Sequence, residues 1–136
     1  MNKILVITGA SKGIGLATAK HFSEQGYRVI NISRSPCECD GVINLSADLL
    51  NQSWMAQIKC ELDQATGEPD QLVLVHNAAI MTKETVSDIK ASSLRDVLQL
   101  NVVAPAELNT LLIPKMKEGS SIIYISSTLG LSLIHI

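Results

Sequence analysis

The feature that most constrains this chain is a glycine-rich turn between an apolar strand pattern and a helix pattern. Residues 4–7 form a short apolar run, residues 8–15 read TGASKGIG, and an alanine-rich helix pattern begins near Gly13. Glycine accepts positive φ and leaves room for the oxygen atoms of a ligand, where a Cβ would block them. The helix that follows directs free N–H groups and its positive dipole end towards the turn. The turn is therefore predicted to bind a phosphate group.

The order of residues within the turn excludes some types of phosphate-binding loop. A P-loop needs Gly followed directly by Lys and then by Ser or Thr, whereas here Lys12 precedes Gly13 and Ile14. This order excludes kinase-type and ATPase-type loops. The alternative to a ligand site is a structural helix start, which glycines alone would also explain.

Length and composition indicate one α/β domain. Of the 136 residues, 46% are hydrophobic but only 3% are aromatic, so the core must consist of Ile, Leu, Val and Ala, as in a parallel sheet covered by helices. The formal net charge is −2 and the basic residues are scattered, so we expect no nucleic-acid partner. We also expect a cytoplasmic protein without a membrane partner, because no signal peptide fits before the first strand and no apolar stretch approaches the roughly 20 residues of a span.

Metal binding is not expected. The chain has three cysteines and three histidines, but Cys37 and Cys39 lack further ligands at a suitable spacing, and His21 and His76 fall within helix and strand patterns. An odd number of cysteines without a secretory signal also argues against a disulfide framework.

Strand and helix patterns alternate along the chain and predict a doubly wound, Rossmann-type parallel sheet. Strands are predicted at 3–8, 28–32, 42–45, 72–75 and 121–125, and helices at 13–25, 51–64 and 92–117. Pro105 is expected to kink the last helix. Right-handed crossovers give the strand order 3-2-1-4-5, and the sheet is expected to be incomplete on its C-terminal side. Ligands of such sheets bind beyond the carboxyl ends of the strands, where the strand order reverses.

The residues after the second strand predict which nucleotide binds. An NAD site carries Asp or Glu about 20 residues after the glycine turn, to bind the ribose 2′-hydroxyl. Here Ser33 and Arg34 stand at that place, and Lys12 supplies a second cation. A charge-assisted hydrogen bond to a 2′-phosphate contributes about 1.5–3 kcal/mol, so NADP(H) is favoured over NAD(H). The alternative is that both cations are ordinary solvated surface residues.

These residues resemble the short-chain dehydrogenase/reductase family, of the single-domain type whose glycine motif is Thr-Gly-x-x-x-Gly-x-Gly. The resemblance implies an NADP-dependent oxidoreductase that passes hydride between nicotinamide and a carbonyl or secondary alcohol. It assigns Asp48 to the adenine ring, Asn101 to a proton-relay water and Ser127 to the substrate oxygen, so Asn101 and Ser127 are the predicted catalytic residues. Ala79 departs from the family's Asn-Ala-Gly motif. The predicted cofactor-binding residues are Gly9, Ser11, Lys12, Gly13, Ile14, Gly15, Ser33, Arg34, Asp48, Leu49, Asn77 and Ala78.

The resemblance covers residues 1–130, which we interpret as the amino-terminal part of an NAD(P)-binding domain. The family's general acid is the Tyr of a Tyr-x-x-x-Lys pair beyond the serine, and the sequence contains no such pair after Ser127. We therefore expect the chain alone to be inactive. Residues 131–136, LSLIHI, match the translation of a commonly used transposase sequencing adapter, so we expect them to be non-native; a genuine apolar tail is the alternative.

Two wider expectations concern the intact protein. The resemblance implies a homodimer or homotetramer that uses the long helix as its contact, although packing on the sheet would also explain the amphipathic pattern of that helix. A different functional class also stays open, namely a dinucleotide sensor or scaffold that keeps the fold without the chemistry.

Overall fold

The computed structural model describes residues 1–126 and has a five-stranded parallel sheet at its centre. The strands are β1 (Lys3–Thr8), β2 (Arg28–Ser33), β3 (Ile43–Ser46), β4 (Gln71–His76) and β5 (Ser121–Tyr124). Their order is β3-β2-β1-β4-β5, and every neighbouring pair is parallel. The predicted fold class and strand order are therefore confirmed, and each strand end lies within about one residue of its predicted place.

Alternate residues of the central strands point to opposite sides of the sheet, so both faces are apolar and both are covered by helices. Ile4 and Val6 of β1 are fully buried in a cluster with the side chains of Trp54 and Leu108. Leu5 and Ile7 of the same strand, also fully buried, belong to a second cluster on the opposite face. The apolar run of β1 thus holds the two layers together, as expected for a strand buried on both sides.

The first two helices are α1 (Gly13–Glu24) and α2 (Trp54–Thr66). α2 begins three residues later than predicted, because Asn51 forms a turn in which its carbonyl accepts from the Trp54 amide at 3.0 Å and its side chain accepts from the Ser53 amide at 2.9 Å. Asn side chains stabilise such turns in competition with helix.

The predicted long helix is one helical run with an irregular centre. It consists of α3 (Ala91–Leu98), a π-helical segment (Gln99–Val103), α4 (Ala104–Leu112) and a 3₁₀ turn (Ile113–Lys115). The irregular segment directly precedes Pro105, which lies in the first turn of α4, so the predicted effect of the proline falls on the turn before it. Proline cannot donate to the carbonyl four residues earlier and its ring needs room there, which the wider π turn provides.

The expectation that no apolar stretch is long enough to span a bilayer was wrong. The run Ala91–Lys115 has 25 residues and a mean hydropathy of 1.2 in its most apolar window, so its length and composition would allow it to cross a membrane. The stretch is apolar because its second half packs on the sheet: Ala104, Leu108 and Leu112 are fully buried.

Candidate functional site

A cleft of about 810 Å³ lies at the carboxyl edge of the sheet. It is bordered by the loops that follow β1, β2, β3 and β4, which is the edge where doubly wound sheets bind ligands. Except for Gly15, every residue predicted to bind the cofactor lines this cleft: Gly9, Ser11, Lys12, Gly13, Ile14, Ser33, Arg34, Asp48, Leu49, Asn77 and Ala78.

The glycine turn forms one wall of the cleft. Gly9 and Gly13 have φ values of +69° and +60°, in the left-handed region that other residues rarely adopt. The Gly9 amide donates to the Ile32 carbonyl at 3.1 Å, which joins the turn to the end of β2. A Cβ at Gly13 would meet no atom of residues 1–126 within 4 Å. Gly13 is therefore required for its backbone angle and leaves open space beside the turn.

Gly15 is predicted to bind the cofactor, but the structure places it in helix packing. It does not line the cleft but is buried in the first turn of α1. A Cβ at this position would overlap the Gly9 carbonyl oxygen and would lie 2.5 Å from Asn77 Nδ2 and 2.9 Å from Ala10 Cα. Gly15 thus allows α1 to pack against the turn, and its effect on a ligand is indirect.

The N-terminus of α1 is open towards the cleft. Among residues 1–126 no side chain caps this end, where Lys12 precedes the helix in an extended conformation. The first backbone N–H groups of a helix have no partner within the helix, and together with the helix dipole they attract an anion. Ser11, Lys12 and Ile14 line the cleft around this end. The arrangement suits a pyrophosphate or another anion.

The loop after β2 brings both cationic and acidic groups to the opposite wall. Ser33, Arg34 and Ser35 line the cleft together with Glu38, and the Ser33 hydroxyl donates to the Ser35 carbonyl. Arg34 and Glu38 are exposed and form no ion pair within residues 1–126. Sequence reasoning missed Glu38 because it considered only the residues directly at the end of the strand.

An amide network centred on the buried side chain of Asn31, also missed from the sequence, supports both walls. Asn31 is only 1% exposed. Its Oδ1 accepts from the Ala10 amide at 3.0 Å, and its Nδ2 donates to Ser33 Oγ at 2.9 Å and to Asn44 Oδ1 at 3.0 Å. Asn44 Oδ1 also accepts from the Cys37 amide at 2.8 Å. The network ties the glycine turn to the loop after β2, and an asparagine inside an apolar strand pattern was the available signal.

The loops after β3 and β4 complete the cleft. Asp48 accepts a hydrogen bond from the Leu50 amide at 3.0 Å, and buried Gln99 donates to the Leu49 carbonyl at 3.1 Å. Asn77 Nδ2 donates to the Gly9 carbonyl at 2.9 Å. The Asp48–Leu49 and Asn77 positions are thus held by hydrogen bonds, which limits how far the cleft can change shape.

Of the two predicted catalytic residues, Asn101 lies within the described part of the chain and Ser127 does not. Asn101 lies in the π-helical segment and does not line the cleft. Its Oδ1 accepts from the Ile80 amide at 2.9 Å and its Nδ2 donates to the Ile80 carbonyl at 2.8 Å, so it clamps the loop that follows Asn77 and Ala78. Ser127 lies outside the described residues.

Cys37 is one of the titratable groups with a shifted pKa that lie next to the cleft. It lies between the cleft residues Pro36 and Glu38, but its own side chain is buried. Burial, together with the neighbouring Cys39, raises the pKa of the Cys37 thiol. A thiol with a raised pKa is a poor nucleophile, so Cys37 serves the packing of this loop.

Comparisons with known proteins agree with this fold. The family model described as short chain dehydrogenase matches residues 3–135. Protein FixR of Bradyrhizobium diazoefficiens is 32% identical over 147 aligned residues, which cover 98% of this chain and 52% of FixR. The chain thus spans about half the length of the curated relatives it matches.

Solved structures show the same architecture. A short-chain dehydrogenase/reductase from Burkholderia vietnamiensis superposes with a TM-score of 0.84 at 19% identity, over 96% of this chain and 68% of that one, which supports the fold alone. A 4-hydroxyisoleucine dehydrogenase complexed with NADH superposes with a TM-score of 0.81 at 28% identity, over 96% of this chain and 58% of that one.

Proposed function

Because this chain belongs to the short-chain dehydrogenase family, we propose that it forms the NADP-binding part of an oxidoreductase that acts on a carbonyl or secondary-alcohol substrate. The observation that carries the proposal is the cleft itself. It joins an uncapped helix N-terminus at the glycine turn to the hydroxyl and guanidinium groups of Ser33 and Arg34. These are the groups that a pyrophosphate and a ribose 2′-phosphate need.

The residues present fit such a dinucleotide. The turn is open where the phosphates would lie, since a Cβ at Gly13 meets nothing within 4 Å in the part of the chain that the structure describes. The donors around it are backbone N–H groups and Lys12, which suit an anion. Leu49, Ile80 and Leu100 give the deeper part of the cleft apolar surface, and ligand pockets combine such surface with a few placed polar groups.

The roles we propose follow from these positions. Bound NADP(H) supplies the hydride chemistry, and the chain binds and orients it. Arg34 and Lys12 bind the 2′-phosphate, with Ser33 as a further donor. Asp48 and Leu49 contact the adenine, and Asn77 and Ala78 contact the ribose that bears the nicotinamide. Asn101 and Ser127 are proposed to act at the reacting end, Asn101 through water and Ser127 on the substrate oxygen.

The carboxylate of Glu38 and the two nearby cations have opposite effects on the choice between NAD(H) and NADP(H). A carboxylate suits the 2′-hydroxyl of NAD(H) and repels a 2′-phosphate, and one similar structure is a complex with NADH. Two cations oppose this single carboxylate, and the guanidinium of Arg34 can pair with a phosphate in a bidentate manner. We therefore propose a preference for NADP(H) that Glu38 reduces.

The experiment is a fluorescence titration of the purified chain with NADPH and NADH. We expect NADPH to bind about 10–100-fold more tightly than NADH, the equivalent of one charge-assisted contact. The R34A variant should lose most of this preference. The R95A variant is the matched control, because Arg95 is exposed on α3 and lies outside the cleft. Equal affinities for the two nucleotides, or an R34A variant that keeps the preference, would refute the proposed cofactor.

For the intact protein, we propose that native sequence ends at Gly130 in this chain and that the complete protein continues into a Tyr-x-x-x-Lys pair. Sequencing of the source transcript past the Gly130 codon tests this proposal. A continuation with that pair supports the oxidoreductase and leaves the present chain inactive by itself. A continuation without the pair supports the alternative, a dinucleotide sensor or scaffold.

The cellular setting is also part of the proposal. We propose a cytoplasmic homodimer or homotetramer with a small-molecule substrate. Exposed Leu98 and Val102, which are 46% and 57% accessible on the long helical run, would provide apolar surface for a second copy.

A further inference from the structure

His76 is a buried titratable residue directly beside the cofactor cleft. It is the last residue of β4, is 5% exposed and immediately precedes the cleft residues Asn77 and Ala78. Its ring lies 4.6 Å from the ring of Tyr124, its partner in the β4–β5 register, at an angle of 35°. The proposed cofactor chemistry gives His76 no part.

The hydrogen bonds around His76 define its tautomer. Asn109 Nδ2 donates to the Tyr124 hydroxyl at 2.9 Å, and Asn109 Oδ1 faces His76 Nε2 at 2.7 Å. An amide oxygen can only accept, so His76 Nε2 must carry the proton. Neutral His76 therefore has a bare Nδ1, and this buried atom has no hydrogen-bond partner within residues 1–126.

The surroundings of His76 offer few hydrogen-bond acceptors for a second N–H group on the ring. The ring lines a small pocket otherwise bordered by apolar side chains and by Thr8. Thr8 is the other polar residue among those of residues 1–126 that line this pocket, which makes its side chain the candidate acceptor for an Nδ1–H group. Its Oγ1 is already engaged, because it accepts from the Asn77 amide at 3.1 Å and from the Ala78 amide at 3.0 Å. These two bonds hold the β4 loop in the wall of the cleft.

We propose that neutral His76 is a positioning residue for the cofactor loop 77–78, and that its protonation weakens dinucleotide binding because Nδ1–H competes with the Asn77 and Ala78 amides for the Thr8 hydroxyl. The proton comes from solvent and forms the Nδ1–H bond, and no other covalent bond is made or broken. This inference rests on the proposed function for the identity of the ligand. Its structural part, the coupling of His76 to the loop, does not depend on it.

No nearby charge opposes or assists this protonation within residues 1–126. The pocket side chains are uncharged, Tyr124 is the titratable group that faces the ring from β5, and Glu107, the acid of α4, accepts from the Trp54 indole at 3.3 Å. Burial lowers the pKa of His76 from its ordinary 6.5, and the hydrogen bond to Asn109 partly offsets this effect. The neutral form thus predominates at neutral pH, and protonation occurs on the acid side.

The test is a calorimetric titration with NADP⁺ between pH 8 and pH 5 on the wild-type chain and the variants H76Q and H21Q. The glutamine amide of H76Q can still donate to Asn109 but does not titrate, and exposed His21 on α1 is the matched histidine control. We expect the wild type and H21Q to lose affinity by up to about tenfold per pH unit over the titration of His76. The H76Q variant should lose markedly less affinity. The titration of the 2′-phosphate of NADP⁺ affects all three proteins alike, so it does not explain a difference between them.

A nuclear magnetic resonance titration without nucleotide separates this inference from the proposed function. The His76 imidazole should give the ¹⁵N shifts of the Nε2–H tautomer at pH 8, and the Asn77 and Ala78 amides should shift with the same midpoint as His76. Failure of the wild type to bind NADP⁺ at any pH refutes the proposed function while these amide shifts still support the coupling. An Nδ1–H tautomer, amides that ignore the His76 midpoint, or an H76Q variant with the wild-type pH profile would overturn the inference.

Discussion

Replacement of Gly15 by alanine tests whether the glycine turn and the start of α1 are as rigid as their packing implies. In an exposed helix, glycine to alanine stabilises by about 0.5–1 kcal/mol. Here the added Cβ would overlap the Gly9 carbonyl and would lie 2.5 Å from Asn77 Nδ2, and overpacking of a well-packed site costs about 1–3 kcal/mol. The net expectation is a loss of about 0.5–2 kcal/mol in the free energy of unfolding.

The same substitution should also weaken nucleotide binding. To admit the Cβ, the Gly9 carbonyl and the Asn77 amide must separate, although they are joined by a hydrogen bond of 2.9 Å. Both residues line the cleft, so the affinity for NADP⁺ should fall by about tenfold, which corresponds to about 1.4 kcal/mol.

Two assays on the 136-residue chain measure these effects. Urea unfolding can be followed by the fluorescence of Trp54, the single tryptophan, which is fully buried, and calorimetry measures the affinity for NADP⁺. The control is G26A. Gly26 has a φ of +87°, and a Cβ added there would meet no described atom, from residue 1 to residue 126, within 4 Å. This variant should therefore lose about 1 kcal/mol of stability to backbone strain alone and keep the wild-type affinity. A G15A variant with raised stability and unchanged affinity would refute the reasoning.

Two further predictions concern stability. In K115M the free energy of unfolding should fall by about 1–2 kcal/mol in urea titrations, because Lys115 Nζ donates to Thr66 Oγ1 at 2.7 Å and to carbonyls at the end of α2, and so caps this helix. The control K117M, at an exposed position, should change the free energy of unfolding little. Equal losses in the two variants would argue against the cap. The second concerns pH: burial lowers the pKa of His76 in the folded chain, so the unfolded chain binds more protons and stability should fall as pH drops through about 6.5. This fall should be smaller in H76Q than in the wild type or H21Q, and identical pH profiles of urea unfolding would contradict the buried neutral histidine.

The sheet could be predicted from the sequence because its signals are local. Apolar runs such as Lys3–Thr8 and Gln71–His76 are buried on both faces, and in parallel sheets such strands read as continuous hydrophobic segments. Their alternation with helices, together with the handedness of crossovers, leaves few possible topologies. The glycine turn then marks the edge of the sheet where the cleft lies.

The parts that could not be predicted depend on contacts between distant residues. The Asn31 network and the clamp of Asn101 on Ile80 join segments that are 21 residues apart, and no periodicity encodes such pairs. Glu38 reaches the cleft through an irregular loop rather than from the end of a strand. Gly15 satisfied a sequence motif, but only its neighbours in space reveal that it packs the helix against the turn.

The most direct test of an NADP site in this cleft is to map where the dinucleotide binds. The backbone amides of the chain can be followed by nuclear magnetic resonance while 2′,5′-ADP or 5′-AMP is added, since these two ligands differ only in the 2′-phosphate. We expect both ligands to shift Gly9, Gly13 and Asp48, and we expect Ser33 and Arg34 to shift much more with 2′,5′-ADP. Shifts confined to other surfaces, or the same response of Arg34 to both ligands, would contradict an NADP site in this cleft.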